Sequence, residues 1–543
     1  MAGRTTRHGR GRRRGTVAAL LLAALSLMAA ACSSSSTTEE GGATDVGGQG
    51  ASSLNLAFFV DMQVPDPDIF YEVEGNQVIT STYEGLLRYS PDNTTEIEPL
   101  LAERYEVSPD GLTYTFTLRQ GVTFVDGTPF DSAAARFSFE RRTKVGSAPS
   151  YMLADVAAYE TPDPSTFVIK LSQPVSPFLD YLAAPYGPKM VSPALINANE
   201  VDGDAAQDWI KTNSAGTGPY RISEFSLGQR YVLSRVEDYW GEAPYYDDVV
   251  INIVPDAATQ QLQLEGGDLD IIRDHPIDTV KAFRDKEGFT VTSFDVLRKQ
   301  FVHVNQHKAP FDDKAVRQAL QAAIDRETLV AQVHGDTGSP STSMYPVSVM
   351  EAGLGDDPIE FDGGAALKAA VAALPEADRS ITFTYPIGVV NDQRMTETLS
   401  QALTEAGFEV TIQPKTVAEI FDMVNAEDPA TLPDLLIETA NPDAAHPDTW
   451  IRIFMRTGGA LNYLQASNPA ADAAMDKGLN LVDEAEVAAA YGEAGDLLHD
   501  DATFLTIADV KDTFISRSGI GGLSHQIPTA LTLHLNGLAP TEK

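Results

Sequence analysis

Cys32 is the sole cysteine of 543 residues, so no disulfide closes within one chain and no zinc site is built from thiolates. Whatever this chain folds into is held by burial. The position of Cys32 adds a second constraint. Arg4, Arg7, Arg10, Arg12, Arg13 and Arg14 precede an apolar run from Val17 to Ala31, which closes on Ala29-Ala30-Ala31. A basic start, an apolar stretch too short to span comfortably and small residues at its end describe an export signal over residues 1–31. The 512 residues beyond it (543 less 31) exceed what one core organises, so two or three domains are expected. No later apolar run reaches the roughly 18 residues of a spanning helix.

A thiol directly after the small residues resembles a bacterial lipoprotein signal, with Cys32 as the lipidated first residue of the mature chain. Ala29 stands where such signals usually carry Leu, and Arg12-Arg13-Arg14 is a weak twin-arginine feature. The chain is expected on the extracytoplasmic face of the cell membrane, anchored by lipid, as a monomer. Residues 32–53 hold no large apolar residue but Val46, a composition that reads as a flexible tether. Losing the leader removes six Arg and no acid, which moves the formal charge from −38 to −44 (33 basic against 77 acidic residues). Such a chain does not neutralise phosphates, so nucleic acid is excluded as a partner. The acids read chiefly as a solvated surface, though their field draws cations and amino groups toward a cleft.

Order is expected from Leu54, where Leu54 to Val60 reads as a buried strand. Ser108-Pro109-Asp110-Gly111 is a turn, and Thr113 to Leu118 alternates at period two. Asp131 caps a helix through Phe139, and Asp312-Asp313 opens one carrying Val316, Ala319, Leu320, Ala323 and Ile324. Ile381–Tyr385 as strand, Arg394–Ala406 as helix closed by Gly407, and Val410–Ile412 as strand make a βαβ unit, so the class is α/β with a mixed or parallel sheet.

Catalytic signatures are missing from the text. It holds no Gly-rich phosphate loop, no G-x-S-x-G elbow and no H-E-x-x-H, so no cofactor, metal or catalytic residue is expected. An exported hydrolase is the rival from another class. His303 and His307 stand four apart, but Phe301 to Asn305 reads as a strand with Pro310 following, so the pair is not placed to share a metal.

Several segments in one order resemble the family-five extracellular solute-binding proteins of ABC importers, the dipeptide, oligopeptide and nickel receptors. They are Tyr83-Glu84-Gly85-Leu86-Leu87, Leu100-Leu101-Ala102-Glu103, Ser108 to Gly111, Phe116-Leu118-Arg119, Phe124-Asp126-Gly127, Gly216-Thr217-Gly218-Pro219-Tyr220, and Pro310-Phe311-Asp312-Asp313 with Val316 to Leu320. The resemblance implies a type II periplasmic-binding-protein-like fold, two lobes with an additional inserted domain. It implies domain I from 54–82, 215–298 and 515–543, an inserted domain II at 83–214, and domain III at 299–514. Ligand would lie between domains I and III, and the partners would be the transmembrane subunits of an ABC permease. By residue chemistry, Gly216 to Tyr220 reads as a turn scaffold, and Arg317 as a partner of neighbouring acids.

The segment Leu435 to Trp450 carries the candidate site. In peptide-binding members of the family this loop presents an Asp to the ligand's α-ammonium, and the resemblance places Asp443 there. A desolvated carboxylate suits a free amino terminus, because charge-assisted bonds are the strong ones. Backbone of Thr439, Ala440 and Asn441 is expected to pair with an extended peptide as an added strand. Thr439-Ala440 replaces the Gly-Trp common in the family and opens a pocket, His446 replaces a second acid, and Trp450 completes the candidate ligand set. Dipeptide receptors carry an Arg just past the strand equivalent to Ile381–Tyr385; Pro386 to Val390 offers none. Oligopeptides, or a cationic non-peptide, are therefore favoured over dipeptides, with a nickel chelate, sugar or other small molecule as the alternative on the same scaffold.

Overall fold

The computed structural model describes residues 52–62, 64–90, 96–349, 359–525 and 528–541. Cys32, the expected export signal and the expected tether up to residue 51 lie outside the described residues.

An eleven-stranded mixed sheet organises the molecule. Its centre is two long strands, Phe289–Val304 and Phe504–Arg517, antiparallel to each other. On one side follow Ile271–Arg273, Ser53–Phe58, Asp248–Ile253, Arg230–Arg235 and Tyr220–Ser226. On the other follow Leu435–Ala440, Ser380–Pro386 and Glu409–Lys415, while Gly338–Pro340 pairs with the second long strand. The strand expected from Leu54 runs Ser53–Phe58 and buries Leu54, Leu56 and Phe58. It lies parallel to Asp248–Ile253, and Ser380–Pro386 lies parallel to Glu409–Lys415.

The long strands serve both halves. Phe289 to Phe294 pairs with Asp512 to Arg517, and Arg298 to His303 pairs with Phe504 to Val510, with a break in register between Phe294 and Arg298. A bulge bends a strand, increases its twist and locally interrupts its ladder; here Asp295 to Leu297 have no ladder partner in the long strand Phe504–Arg517. Burial changes at the same place: up to Asp295 the strand is half covered, whereas Val296 to Val304 is buried. The expected boundaries at 298/299 and 514/515 fall inside these two strands.

The βαβ unit has the expected order, but its helix runs Val390–Ala406, one turn earlier than the periodicity suggested, and closes on Gly407 at φ 108°. The added turn carries Asp392, a buried polar residue that apolar spacing does not count. A separate antiparallel sheet, Ala102–Val107, Thr113–Leu118, Thr166–Leu171 and Val156–Asp163, packs with the helix Ser132–Val145. Asp131 caps that helix, accepting from Ala134 N–H at 2.9 Å. The turn before Thr113 sets Gly111 at φ 68°, a conformation that glycine adopts without strain.

Two of the quoted motifs meet in space. Glu84 is buried and accepts from Thr217 Oγ1 (2.8 Å), Tyr239 (2.7 Å) and Trp240 Nε1 (2.8 Å). A Cβ on Gly216 would stand 2.1 Å from Thr82 O, so this glycine is required by close approach of two backbones more than by turn geometry. Arg141 grips Asp66 and Asp68 through buried pairs of 2.7 and 2.5 Å, and Arg142 reaches Asp68 at 3.1 Å, tying the Pro65–Asp68 segment to the helix. Arg317 pairs with Asp501 at 2.7 Å.

Candidate ligand-binding cleft

Strand ends converge on one cavity. Beyond Phe58 come Phe59 and Val60; beyond Ile253, Pro255 to Ala257; beyond Arg273, Asp274; beyond Pro386, Gly388 to Asn391; beyond Ala440, Asn441. The space they enclose is about 440 Å³. Crevices outside the carboxyl ends of strands are where open α/β sheets bind ligands, and this volume suits a small solute.

Asp443 lies two residues past the Asn441 wall and is only 6% exposed. Its Oδ2 accepts the Tyr71 hydroxyl and, at 2.6 Å, the Tyr151 hydroxyl; Oδ1 accepts no hydrogen bond among the described residues. The rings close around it: Tyr71 against Tyr186 at 5.1 Å, and Tyr151 edge-on to Tyr181 at 5.5 Å. Burial pushes the Asp443 pKa up to about 6, while the two hydroxyls pull the other way. The carboxylate is thus oriented by one oxygen and left short of positive charge at the other. An ammonium finds both a charge partner and aromatic faces there.

The remaining candidates separate. Thr439 and Asn441 line the cavity, and the Asn441 amide lies against the Tyr186 hydroxyl. Thr439 Oγ1 donates to Asp392 Oδ1 at 2.5 Å and its N–H to Asp392 Oδ2 at 3.2 Å. That N–H is therefore already engaged, which limits the expected strand addition at this residue. Ala440 ends its strand opposite Lys299, half covered and packed on the core. His446 Nδ1 accepts from Asp448 N–H at 3.2 Å, beside the Tyr491 ring. Burial lowers its pKa, against the opposing pull of Asp180 and Asp448, so the ring is neutral at pH 7. Trp450 is fully buried, wedged between Phe301 and Phe454, and donates Nε1–H to Met344 O at 2.8 Å. Its place is the core beneath the loop, not the cavity wall.

Asp392 anchors a polar network behind that wall. It also accepts from Gln300 Nε2 at 2.7 Å, and Gln300 Oε1 meets His334 Nε2 at 3.0 Å. Tyr71 and Tyr151, which hold Asp443, Asp392, which bonds Thr439, and Arg273, which lines the cavity, have no signature in the sequence. Each is brought in by a chain segment distant from the Leu435–Trp450 loop. His303 faces Glu438 at 3.1 Å and His307 bonds Gln465 O, so the two histidines part. Among the described residues no group of three or more His, Cys, Asp or Glu is placed to hold a metal ion, and no helix is long and apolar enough to cross a membrane.

The family "Bacterial extracellular solute-binding proteins, family 5 Middle" matches residues 96–462. The probable D,D-dipeptide-binding periplasmic protein DdpA of Escherichia coli (strain K12) is 27% identical over 451 residues, 82% of this chain and 86% of DdpA. NikA from Brucella suis, solved in complex with Fe(III)-EDTA, superposes with TM-score 0.79 at 22% identity, over 90% of this chain and 100% of its own. DppA from Helicobacter pylori, solved with the peptide STSA, gives 0.76 at 21% identity, over 91% and 99%. The chain belongs to the family-five bacterial extracellular solute-binding proteins, the receptors of ABC importers.

Proposed function

We propose that this chain is a lipid-anchored receptor, tethered through Cys32 on the outer face of the cell membrane, that captures an oligopeptide or similar amino-bearing solute and delivers it to the transmembrane subunits of an ABC permease. The observation that carries the reading is Asp443: a buried carboxylate with one oxygen unbonded among the described residues, set among four tyrosines two residues past Asn441, which lines the cavity, although Asp443 itself does not. A sugar has no ammonium to offer this group.

Closure follows from the same contacts. Tyr71, Tyr151 and Asp443 belong to the parts of the chain assigned above to domains I, II and III, so a cation bound at Asp443 draws on all three. The bulge between Phe294 and Arg298 gives the lobes a place to bend. Ligand shifts the open–closed balance only by its preference for the closed state, and moving from mostly open to mostly closed takes about 5 kcal/mol of such preference. Replacing Asp443 by Ala is expected to weaken free-amino peptides far more than their N-acetylated forms in titration calorimetry. Equal loss for both would discard the anchoring role.

A further inference from the structure

Arg273 closes the short strand Ile271–Arg273 and lines the cavity. Its side chain is buried, and what it touches is neutral. The guanidinium donates to Leu531 O and to Glu74 O (3.3 Å) and lies 4.0 Å over the Phe58 ring. Among the described residues it forms no ion pair. Glu74, on the same cavity wall, exerts the largest attractive pull on it without forming an ion pair, and the next two acids are engaged elsewhere: Asp274 and Asp512 both grip Arg298, at 3.1 and 3.0 Å. Burial pushes the Arg273 pKa down to about 10, against the pull of Glu74, Asp512 and Asp274, so the group stays charged at neutral pH.

A guanidinium has five N–H donors in a fixed fork, shaped for a carboxylate. A buried cation without a counter-ion is costly to the fold, and a cavity wall is where a ligand relieves that cost. We propose that Arg273 receives an anionic group of the captured solute, a carboxylate supplied by a peptide C-terminus or by an acidic side chain. The proposal rests on the reading of this cavity as the ligand site. One short segment links the two poles: Tyr71 bonds Asp443, and Glu74, three residues on, bonds Arg273. The cation that the loop Pro386 to Val390 lacks is thus supplied from another wall of the same cavity.

The test uses the full chain and calorimetric titration of tri-alanine, its C-terminal amide, N-acetyl-tri-alanine and Ala-Glu-Ala amide. The acid is expected to bind at least about tenfold tighter than its amide, as a charge-assisted bidentate contact implies. Arg273→Met should erase that ratio by weakening the acid far more than the amide, and Arg273→Lys should keep part of it. Recovery of tight binding by Ala-Glu-Ala amide assigns the site to side-chain carboxylates; its absence, with the acid preference kept, assigns it to the C-terminus. Equal affinity of acid and amide in the wild type, or equal loss of both in Arg273→Met, overturns the proposal and leaves Arg273 a scaffold bond between two carbonyls. If N-acetyl-tri-alanine binds as well as tri-alanine, the Asp443 reading fails alone and the acid-to-amide ratio still judges Arg273. If none of the four peptides binds, both fail.

Discussion

Asp512 and Asp443 are both buried carboxylates, and their surroundings are opposite. Asp512, near the middle of the strand Phe504–Arg517, meets Arg298 at 3.0 Å, His525 Nε2 at 2.9 Å and the Leu531 N–H. Burial works against its ionisation, but those contacts outweigh burial and hold its pKa below the ordinary value. Asp443 has only two neutral hydroxyls and sits at about 6. The arginines mirror the acids: Arg298 is bound on two sides by carboxylates, Arg273 by carbonyls alone. Arg298 and Asp512 are matched within the chain; Asp443 and Arg273 have no ion-pair partner among the described residues. Charge that the chain does not neutralise for itself is available to a ligand.

The largest expected effect breaks the matched member. Asp512→Ala should cost about 3–5 kcal/mol of stability, since it removes a buried partner of Arg298 and strands that cation. Denaturant unfolding checks this, and a loss under about 1 kcal/mol would mean that Asp274 alone suffices for Arg298. The unmatched member should behave in the opposite way. Asp443→Asn keeps an acceptor for the tyrosines and removes the buried charge, so the ligand-free protein should gain on the order of 3 kcal/mol at pH 7.5. The sign follows from the raised folded-state pKa. Between the ordinary value of 3.8 and about 6 the native state binds the extra proton, so stability falls as pH rises through that window. The gain should therefore vanish near pH 4. A variant less stable than wild type at pH 7.5 would place Asp443 with Asp512, as a structural acid.

The same contrast explains what was legible in the sequence. Strands and helices that repeat an apolar period, such as Thr113 to Leu118 or Val316 to Leu320, can be read because burial acts on each residue separately. Asp443 stands out in the sequence only because its loop resembles a family pattern. Its partners were not: Tyr71 and Tyr151 lie 372 and 292 residues away in the chain. Arg273 reads as one more residue between a strand and a turn, and only the folded structure shows that it lines the cavity without an ion pair among the described residues. Trp450 shows the reverse error, for its place in the loop pattern suggested ligand contact while its indole fills the core below.

A smaller effect sharpens the difference by pH. An amino-bearing probe such as tri-alanine needs the ionised form of Asp443, so its affinity should weaken about tenfold between pH 7 and 5, and it should weaken again above about pH 8 as the peptide's own ammonium loses its proton. Asp512 stays ionised across that range, so binding measured in Asp443→Asn should lose this slope. A slope that survives the substitution would assign it to Asp392, whose pKa burial also pushes up to about 6 behind Thr439.

His446→Gln should change least. The ring stands three residues from Asp443, and were it protonated at neutral pH it would compete with a ligand ammonium for the same charge. It is not: burial keeps it neutral, and its Nδ1 serves only as acceptor for the Asp448 N–H, an acceptor that the Gln carbonyl can replace. Affinity for tri-alanine at pH 7.5 should stay within about twofold, as expected for exchange of one neutral hydrogen-bonding group for another. A gain of about tenfold would show that His446 carries positive charge beside the carboxylate. Asp443 would then be matched from within, as Asp512 is, and the distinction between the two acids would be lost.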